Sequence, residues 1–348
     1  MAGTWNSQNK ILPGVYINFL TNAPLSITPG ERGTVVILQE VSTGTAGELY
    51  TITATDKSEY PEGITAADSR LVNEALKNAR TVILYNLGAA HEAETITTAL
   101  AALKTVAFNV LCYPYPAAAN GANQAEIAAW IKAMREEEGI KIQAVMADFT
   151  GDSEAIINVV QGIELSDGTE LTAAQVTAWV AGAAAGAGVS QSNTGKNYVG
   201  AMDVVPRMTK SEMEAAITAG KFIFKTDSAQ NVTVVYDINS LTTFTPEKNN
   251  VFRKNRVVRT IDGINNDIAT IFESNYVGKV NNNADGRSLL RAALIEYFDA
   301  LQSLSAIQNF VPEDVTVLAG TDLDTVVVNC NIQPVDSVEK IYIAVSLS

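Results

Sequence analysis

Apolar and polar positions recur along this chain in two periods, one of strands and one of helices. The clearest stretch is residues 80–148. Residues 81–85, 106–112 and 141–147 are nearly unbroken apolar runs of β type. Between them, residues 92–104 carry Ile96, Leu100 and Leu103 at helical spacing, and residues 122–138 carry Ile127, Trp130, Ile131 and Met134. Side chains three or four positions apart share one helix face. Strand, helix, strand, helix, strand at this spacing predicts parallel strands joined by crossover helices. The continuous apolar strands predict a sheet covered on both faces.

Upstream, residues 34–41 and 48–53 read as strands and residues 66–79 as a helix with Leu71, Val72, Ala75 and Leu76 on its face. Downstream come strand candidates at 155–160 and 163–165, then the tight-turn pair Asp167-Gly168. Thr172 and Gln175 stand at capping-box spacing and open a helix to about Ala185. The glycines at 182, 186 and 188 give it a small-residue face that another backbone can approach. Residues 203–205, a helix at 211–219 and a strand pair at 221–225 and 232–236 complete the middle of the chain. Past Thr245-Pro246, two long helical patterns cover roughly 253–277 and 286–306, and strands follow at 314–318 and 325–332. The expected fold class is an α/β central domain with a mostly parallel sheet, an α+β C-terminal domain, and extended N- and C-terminal strand arms. The expected boundaries are an N-terminal arm (1–22), a small mixed leading subdomain (23–79), the central domain (80–244), the C-terminal domain (245–332) and a C-terminal arm (333–348).

With 348 residues, the chain is long enough for two or three real cores. Its net charge of −14 and isoelectric point near 4.6 argue against nucleic acid as the main partner, because phosphate binding needs a basic footprint. The first residues lack the basic and apolar regions of a signal peptide, and residues 176–189 are too short and too rich in Gly and Ala to span a bilayer. The expectation is a protein made in the cytoplasm, with no membrane insertion. Cys112 and Cys330 lie in apolar runs and read as buried free thiols.

Candidate chemistry is sparse. The single histidine, His91, sits at a helix start and reads as an exposed surface residue. No Gly-x-Ser-x-Gly elbow is present to hold a nucleophile. Gly195-Lys196 follows a glycine-rich run, but Ser190 and Asn197 break the phosphate-loop pattern. The Asp262–Asp267 region and residues 281–286 do not follow the ligand order of a calcium loop, and read as helix surface and as a loop before a helix. No catalytic residue, metal or cofactor is called for. Arg253, Lys254, Arg256 and Arg259 cluster in an acidic chain; they read either as a solvated helix start or as a surface that docks an acidic neighbour.

Both ends of the chain are β-rich. After the breaker Pro13-Gly14, Val15, Ile17 and Phe19 alternate with Tyr16 and Asn18. At the other end, residues 338–345 form a second such run, entered through Gln333-Pro334 and including Lys340, Ile341, Tyr342, Ile343 and Val345. Such strands pair with the chain's own sheet or with neighbouring copies.

The opening residues Gly3-Thr4-Trp5, Asn9-Lys10 and 13–19 resemble the start of contractile phage-tail sheath proteins. The likeness is greatest to the short sheaths of Gram-positive prophages and phage-tail-like bacteriocins. Residues 165–171, the following 172–182, and the last strand near Ala344-Val345 carry the same resemblance, which runs nearly end to end. It implies a structural subunit, not an enzyme, that stacks in a helix around an inner tube and contracts to drive that tube through a target envelope. The arms, at Val15–Phe19 and Lys340–Val345, would add strands to adjacent subunits, with Gln333-Pro334 and the segment before Pro13 as hinges. The implied partners are further copies of the chain, an inner tail tube protein, and baseplate and tail terminator proteins. The implied destination is a virion or a released tail-like particle. The C-terminal domain would face the tube, through Arg253, Lys254, Arg256 and Arg259 or through residues 286–306. An α/β hydrolase-like or ligand-binding enzyme, and a surface-array protein, are the other classes compatible with the topology.

Overall fold

The computed structural model describes residues 30–54 and 59–346. In chain order the strands and helices begin with β1 (Thr34–Gln39), β2 (Leu49–Thr53), α1 (Ala66–Leu76), β3 (Thr81–Asn86), α2 (Ala93–Leu103) and β4 (Val110–Pro116). Then follow α3 (Ala117–Glu136), β5 (Gln143–Ala147), β6 (Ile156–Val159), β7 (Gly162–Leu165), β8 (Glu170–Leu171) and α4 (Ala173–Gly186). Next are β9 (Ala201–Val205), α5 (Lys210–Thr218), β10 (Lys221–Phe222), β11 (Phe224–Thr226) and β12 (Val232–Val234). The last are α6 (Asn255–Asn275), α7 (Ala284–Ser303), β13 (Ile307–Gln308), β14 (Val315–Ala319), β15 (Val326–Cys330) and β16 (Gln333–Pro334).

Among the described residues seven strands form the main sheet, in the order β10-β6-β5-β4-β1-β3-β2. Every neighbouring pair is parallel except β2 with β3. Successive side chains on a strand point to opposite faces, and this sheet buries both. Val35, Ile37, Val82, Leu84, Val110 and Cys112 pack on one side, beneath α1 and α4. Val36, Leu38, Ile83, Tyr85, Leu111 and Tyr113 pack on the other, beneath α2 and α3. Two-sided burial is why the strands read as unbroken apolar runs.

The leading subdomain expected at 23–79 is not separate in the structure. β1 sits between β4 and β3, inside the sheet, and α1 lies against α4. A strand with parallel neighbours on both edges cannot detach without opening the core. β4 also begins later than its apolar run suggested. Val106 N–H still bonds to Leu103 at the end of α2, and Asn109 turns its side chain back to accept from the Gly33 and Thr34 amides.

Thr172 and Gln175 make the reciprocal cap of α4. The small-residue face of this helix meets α1. A methyl group at Gly182 would collide with the Ala75 carbonyl, and one at Gly186 with the Asn78 carbonyl. Only glycine allows that approach.

The C-terminal part builds its own core. Leu290, Leu294, Tyr297, Phe298 and Leu301 of α7 pack with Ile264, Phe310 and Val315. β14 and β15 form an antiparallel two-stranded sheet that leans on α7. Cys112 is buried, with burial pushing its thiol up to about 12; Cys330 is only half-buried, which corrects one of the two expected buried thiols. Among the described residues no helix is long and apolar enough to cross a membrane.

Candidate functional site

The distinctive surface is the C-terminal tail. Up to residue 339 it is tied down. Gln333 and Pro334 pair antiparallel with Gln308 and Ile307, and Val335 N–H donates to Ala306 O at 3.0 Å. Lys254 Nζ lies 2.8 Å from Asp336 and is also ion-paired to Glu339, with Nζ 4.3 Å above the Tyr236 ring. Glu339 further accepts from Thr194 Oγ1 at 2.7 Å and from Ser337 Oγ at 3.1 Å. These contacts hold the Lys254 ammonium above its ordinary range despite its burial, through Asp336 and Glu339.

Beyond Glu339 the anchoring stops. Residues 340–346 pair with no strand among the described residues. Ile341, Tyr342, Ile343 and Val345 are 74%, 91%, 79% and 77% exposed. In an extended chain Ile341, Ile343 and Val345 fall on one face. The strand expected over 338–345 is therefore an unpaired segment among the described residues. The hinge expected at Gln333-Pro334 lies instead inside a paired ladder, and the last anchored residue is Glu339. The N-terminal counterparts Val15, Tyr16, Ile17 and Phe19 lie outside the described residues.

The basic cluster turns inward, against the expectation of a docking or tube-facing surface. Arg259 is 1% exposed; its Nε donates to Ala184 O at 3.2 Å, its Nη1 to Gln191 O at 2.6 Å, and Asp237 lies 3.6 Å from its Nη2. Arg256 is buried and donates to Ser305 O. Arg253 is half-buried, and Lys254 holds the tail. A solvated helix start is equally far from what is seen. The missed signal was Gly263: with Arg256, Arg259 and Thr260 it falls at i, i+3, i+4 and i+7, the spacing of a face that packs closely.

That face bolts α6 to the central domain. Arg135 and Asp262 form a buried bidentate pair at 2.7 and 2.8 Å. Asp262, expected on a helix surface, is instead at this joint, and burial pushes its carboxyl up against the pull of Arg135. Asn266 brackets Lys141, accepting from its N–H and donating to its carbonyl. Asn255 Nδ2 donates to Asp237, whose other oxygen accepts from Asn193 N–H.

The side chain of His91 is also buried rather than exposed, with 3% of it accessible. Its ring bridges Glu40 at 2.8 Å and the Tyr113 hydroxyl at 2.7 Å, and packs on Tyr115. This network fills the crevice between the C-terminal ends of β1 and β4, where open α/β sheets bind ligands. Gly195 and Lys196 are paired through their backbones with Val234. Among the described residues no group of three or more His, Cys, Asp or Glu could hold a metal ion.

Replacing Lys254 with Met should free the base of the tail without unfolding the subunit. Trypsin cleaves after Lys340, so limited proteolysis of the monomer should cut there several-fold faster in Lys254→Met. Equal rates would mean that Lys254 does not hold the tail.

Comparison with known proteins covers most of the chain. The model described as phage tail sheath protein central domain matches residues 89–240, and that of the phage tail sheath C-terminal domain matches 247–348. The model of tail sheath protein Gp18 domain III, N-terminal region, matches 32–87. A tail sheath protein of Clostridium phage phiCD119 is 30% identical over 312 residues, which is 87% of this chain and 84% of the relative. The phage-like element PBSX protein XkdK of Bacillus subtilis is 38% identical over 260 residues, 72% of this chain. The match spans only 55% of XkdK, and the chain covers little more than half the length of that relative. Among solved structures, the sheath tail protein of Desulfitobacterium hafniense superposes with a TM-score of 0.83 at 34% identity, covering 95% of this chain and 99% of that one. The helical sheath of the anti-feeding prophage in its contracted state shares the fold, with a TM-score of 0.73 at 16% identity over 97% of this chain and 99% of that one.

Proposed function

The chain belongs to the phage tail sheath protein family, and from that premise we propose that its subunits polymerise around an inner tube and contract to drive it through a target envelope. The role is structural rather than catalytic. The observation that carries it is the tail: three apolar side chains on one face, exposed and without a strand partner among the described residues, just past an anchored base. Unpaired apolar strand edges are aggregation hazards that proteins normally blunt. Here the strand is left open because its partner is another copy.

The acceptor is the β14–β15 sheet. Among the described residues it has two strands, and it exposes Leu318, Val327 and Val328. A neighbour's tail would extend it by strand addition, with ladder bonds giving affinity and Ile341, Ile343 and Val345 giving register. About five such bonds contribute roughly 1 kcal/mol each, and three apolar side chains about 2 kcal/mol each. Ordering six residues costs roughly 1.5 kcal/mol apiece. The balance is a few kcal/mol per tail, too little for one contact to hold a dimer. Many contacts along a tube make a strong whole. The N-terminal arm at Val15–Phe19 is the second coupling of the same kind. These head-to-tail contacts propagate rather than close.

The buried joints between α6 and the sheet make each subunit one stiff body, so contraction moves subunits about their tails and needs no nucleotide. Baseplate and terminator proteins cap the tube ends, and the particle is a phage tail or a bacteriocin-type relative assembled before release. The test is reconstitution of the purified chain with its inner tube protein, viewed by electron microscopy. Sheathed tubes are expected; bare tubes under all conditions would refute the reading.

A further inference from the structure

The end of α6, the turn after it and the start of α7 enclose a cavity of about 280 Å³ against β15. Its apolar walls include Phe272, Val280, Leu290 of α7 and Val326, the first residue of β15. Tyr276 also lines it and is 5% exposed, and its hydroxyl has no hydrogen-bond partner among the described residues. A buried hydroxyl left unpaired costs about 1–3 kcal/mol. The sheet beside the cavity is uncovered in a matching way. Val326 stands opposite Ala319, Val328 opposite Val317 and Cys330 opposite Val315, so all share the face that looks towards α7. Val315 is fully buried, yet Val328 is 39% exposed. Cover of that face thins out towards β15, whose outer edge has no strand partner among the described residues.

We propose that Tyr342 from the tail of a second copy fills this cavity, with its hydroxyl accepting a hydrogen bond from the Tyr276 hydroxyl. This rests on the strand-addition reading above and names the anchor of that contact. Parity picks the residue. In an extended tail Ile341, Ile343 and Val345 share one face, and Lys340, Tyr342, Ala344 and Ser346 share the other. Leu318 and Val327 stand opposite each other on the outer face of the sheet, both exposed, and suit the first set. The cavity side then receives the second set, in which Tyr342 is the one aromatic residue and is left exposed by its own subunit. A strand laid along β15 holds its side chains about 4.5–5.5 Å from their neighbours on the same face. A residue beside Val326 therefore stands over the cavity. Tyrosine suits an apolar pocket with one polar group, because its body is apolar and its tip is not. A slip of two residues would put Lys340 or Ala344 there, so the cavity also fixes the register of the added strand.

The test uses full chains assembled on the tube, with Cys330→Ser in every variant. A minority population carrying Tyr342→Cys is mixed into tagged chains carrying Val277→Cys, so that assembly does not depend on the altered tail. Val277 lines the cavity and is itself exposed, so its replacement leaves the core intact. Mild oxidation should join the two populations roughly tenfold faster than when the tagged chains carry Val199→Cys, an exposed position on the central domain. Equal rates would overturn the proposal. A second pair, Ile343→Cys with Leu318→Cys, reports on strand addition itself. Cross-linking of that pair alone would keep the coupling and overturn the anchor; cross-linking of neither would overturn both. The hydroxyl contact is read separately. Tyr276→Phe should leave the monomer at least as stable, since it removes an unpaired buried group. A lower unfolding temperature would mean that the hydroxyl is satisfied within its own chain, and would overturn the proposal. Tyr276→Phe and Tyr342→Phe should each raise the concentration needed to sheath tubes by roughly fivefold, and together by no more than either alone. Effects that simply multiply would show that the two hydroxyls do not meet.

Discussion

Deletion of residues 340–348 should leave a folded monomer that no longer forms sheath. The described residues of this segment contribute nothing to any described core, since Ile341, Tyr342, Ile343 and Val345 are mostly exposed and residues 340–346 pair with no strand among the described residues. Removing groups without native contacts changes stability by about 0.5 kcal/mol or less, so the unfolding temperature should hold to within about a degree or two. Assembly should respond very differently. Each lost tail removes a few kcal/mol at one contact, and every 1.4 kcal/mol is about tenfold in a binding constant. Over a helical lattice, the concentration needed to polymerise on the tube should rise at least a hundredfold. Sedimentation of chain and tube mixtures, before and after the deletion, checks both halves. A truncated chain that sheathes tubes normally would show that the tail is not a coupling.

Replacing Arg135 with Met should cost about 3–5 kcal/mol, because it strands a buried carboxylate without its partner. Asp262 is nearly inaccessible, and the bidentate contact with Arg135 is its salt bridge across the seam. At about 2–4 °C per kcal/mol for a chain of this class, the unfolding temperature should drop by roughly 10 °C. Adding Asp262→Leu should recover most of the loss, since well-packed apolar replacements of buried pairs are often neutral. The pH dependence has a definite sign. Burial already pushes the Asp262 carboxyl above the ordinary range, and losing Arg135 pushes it further. The native Arg135→Met protein then binds a proton that the unfolded chain releases more readily. Its deficit should be largest near pH 8 and shrink as pH falls through the raised value. A deficit that grows towards low pH, or no deficit at all, would mean that this pair does not bolt α6 to the sheet.

The middle of this fold was legible because its signals are local. Unbroken apolar runs, helical stripes such as Ile127, Ile131 and Met134, and the Thr172–Gln175 cap each lie within a few residues. Sheet order was not legible. β1 takes an interior place, between β4 and β3, because α1 and α2 cross over opposite faces, and nothing within residues 34–39 states which strands will flank them. The polar residues were misread for a related reason. Arg259 donates to carbonyls 75 and 68 positions away, and His91 bonds to Glu40, 51 positions away. A charge count over a short stretch cannot see such partners, so these residues read as surface. The tail was the opposite case: its alternation was plain in the sequence, and its lack of a partner among the described residues needed the structure.

Amide hydrogen exchange of residues 340–345 tests the coupling most directly, comparing the monomer with sheath assembled on its tube. In the monomer these amides should exchange at the rate of an unstructured peptide, while those of Val315–Ala319 in β14 remain protected. In assembled sheath, alternate amides of the tail should become protected by at least a hundredfold, as expected for one edge of a strand docked on a neighbour. Tail amides that exchange freely in both states would contradict the account.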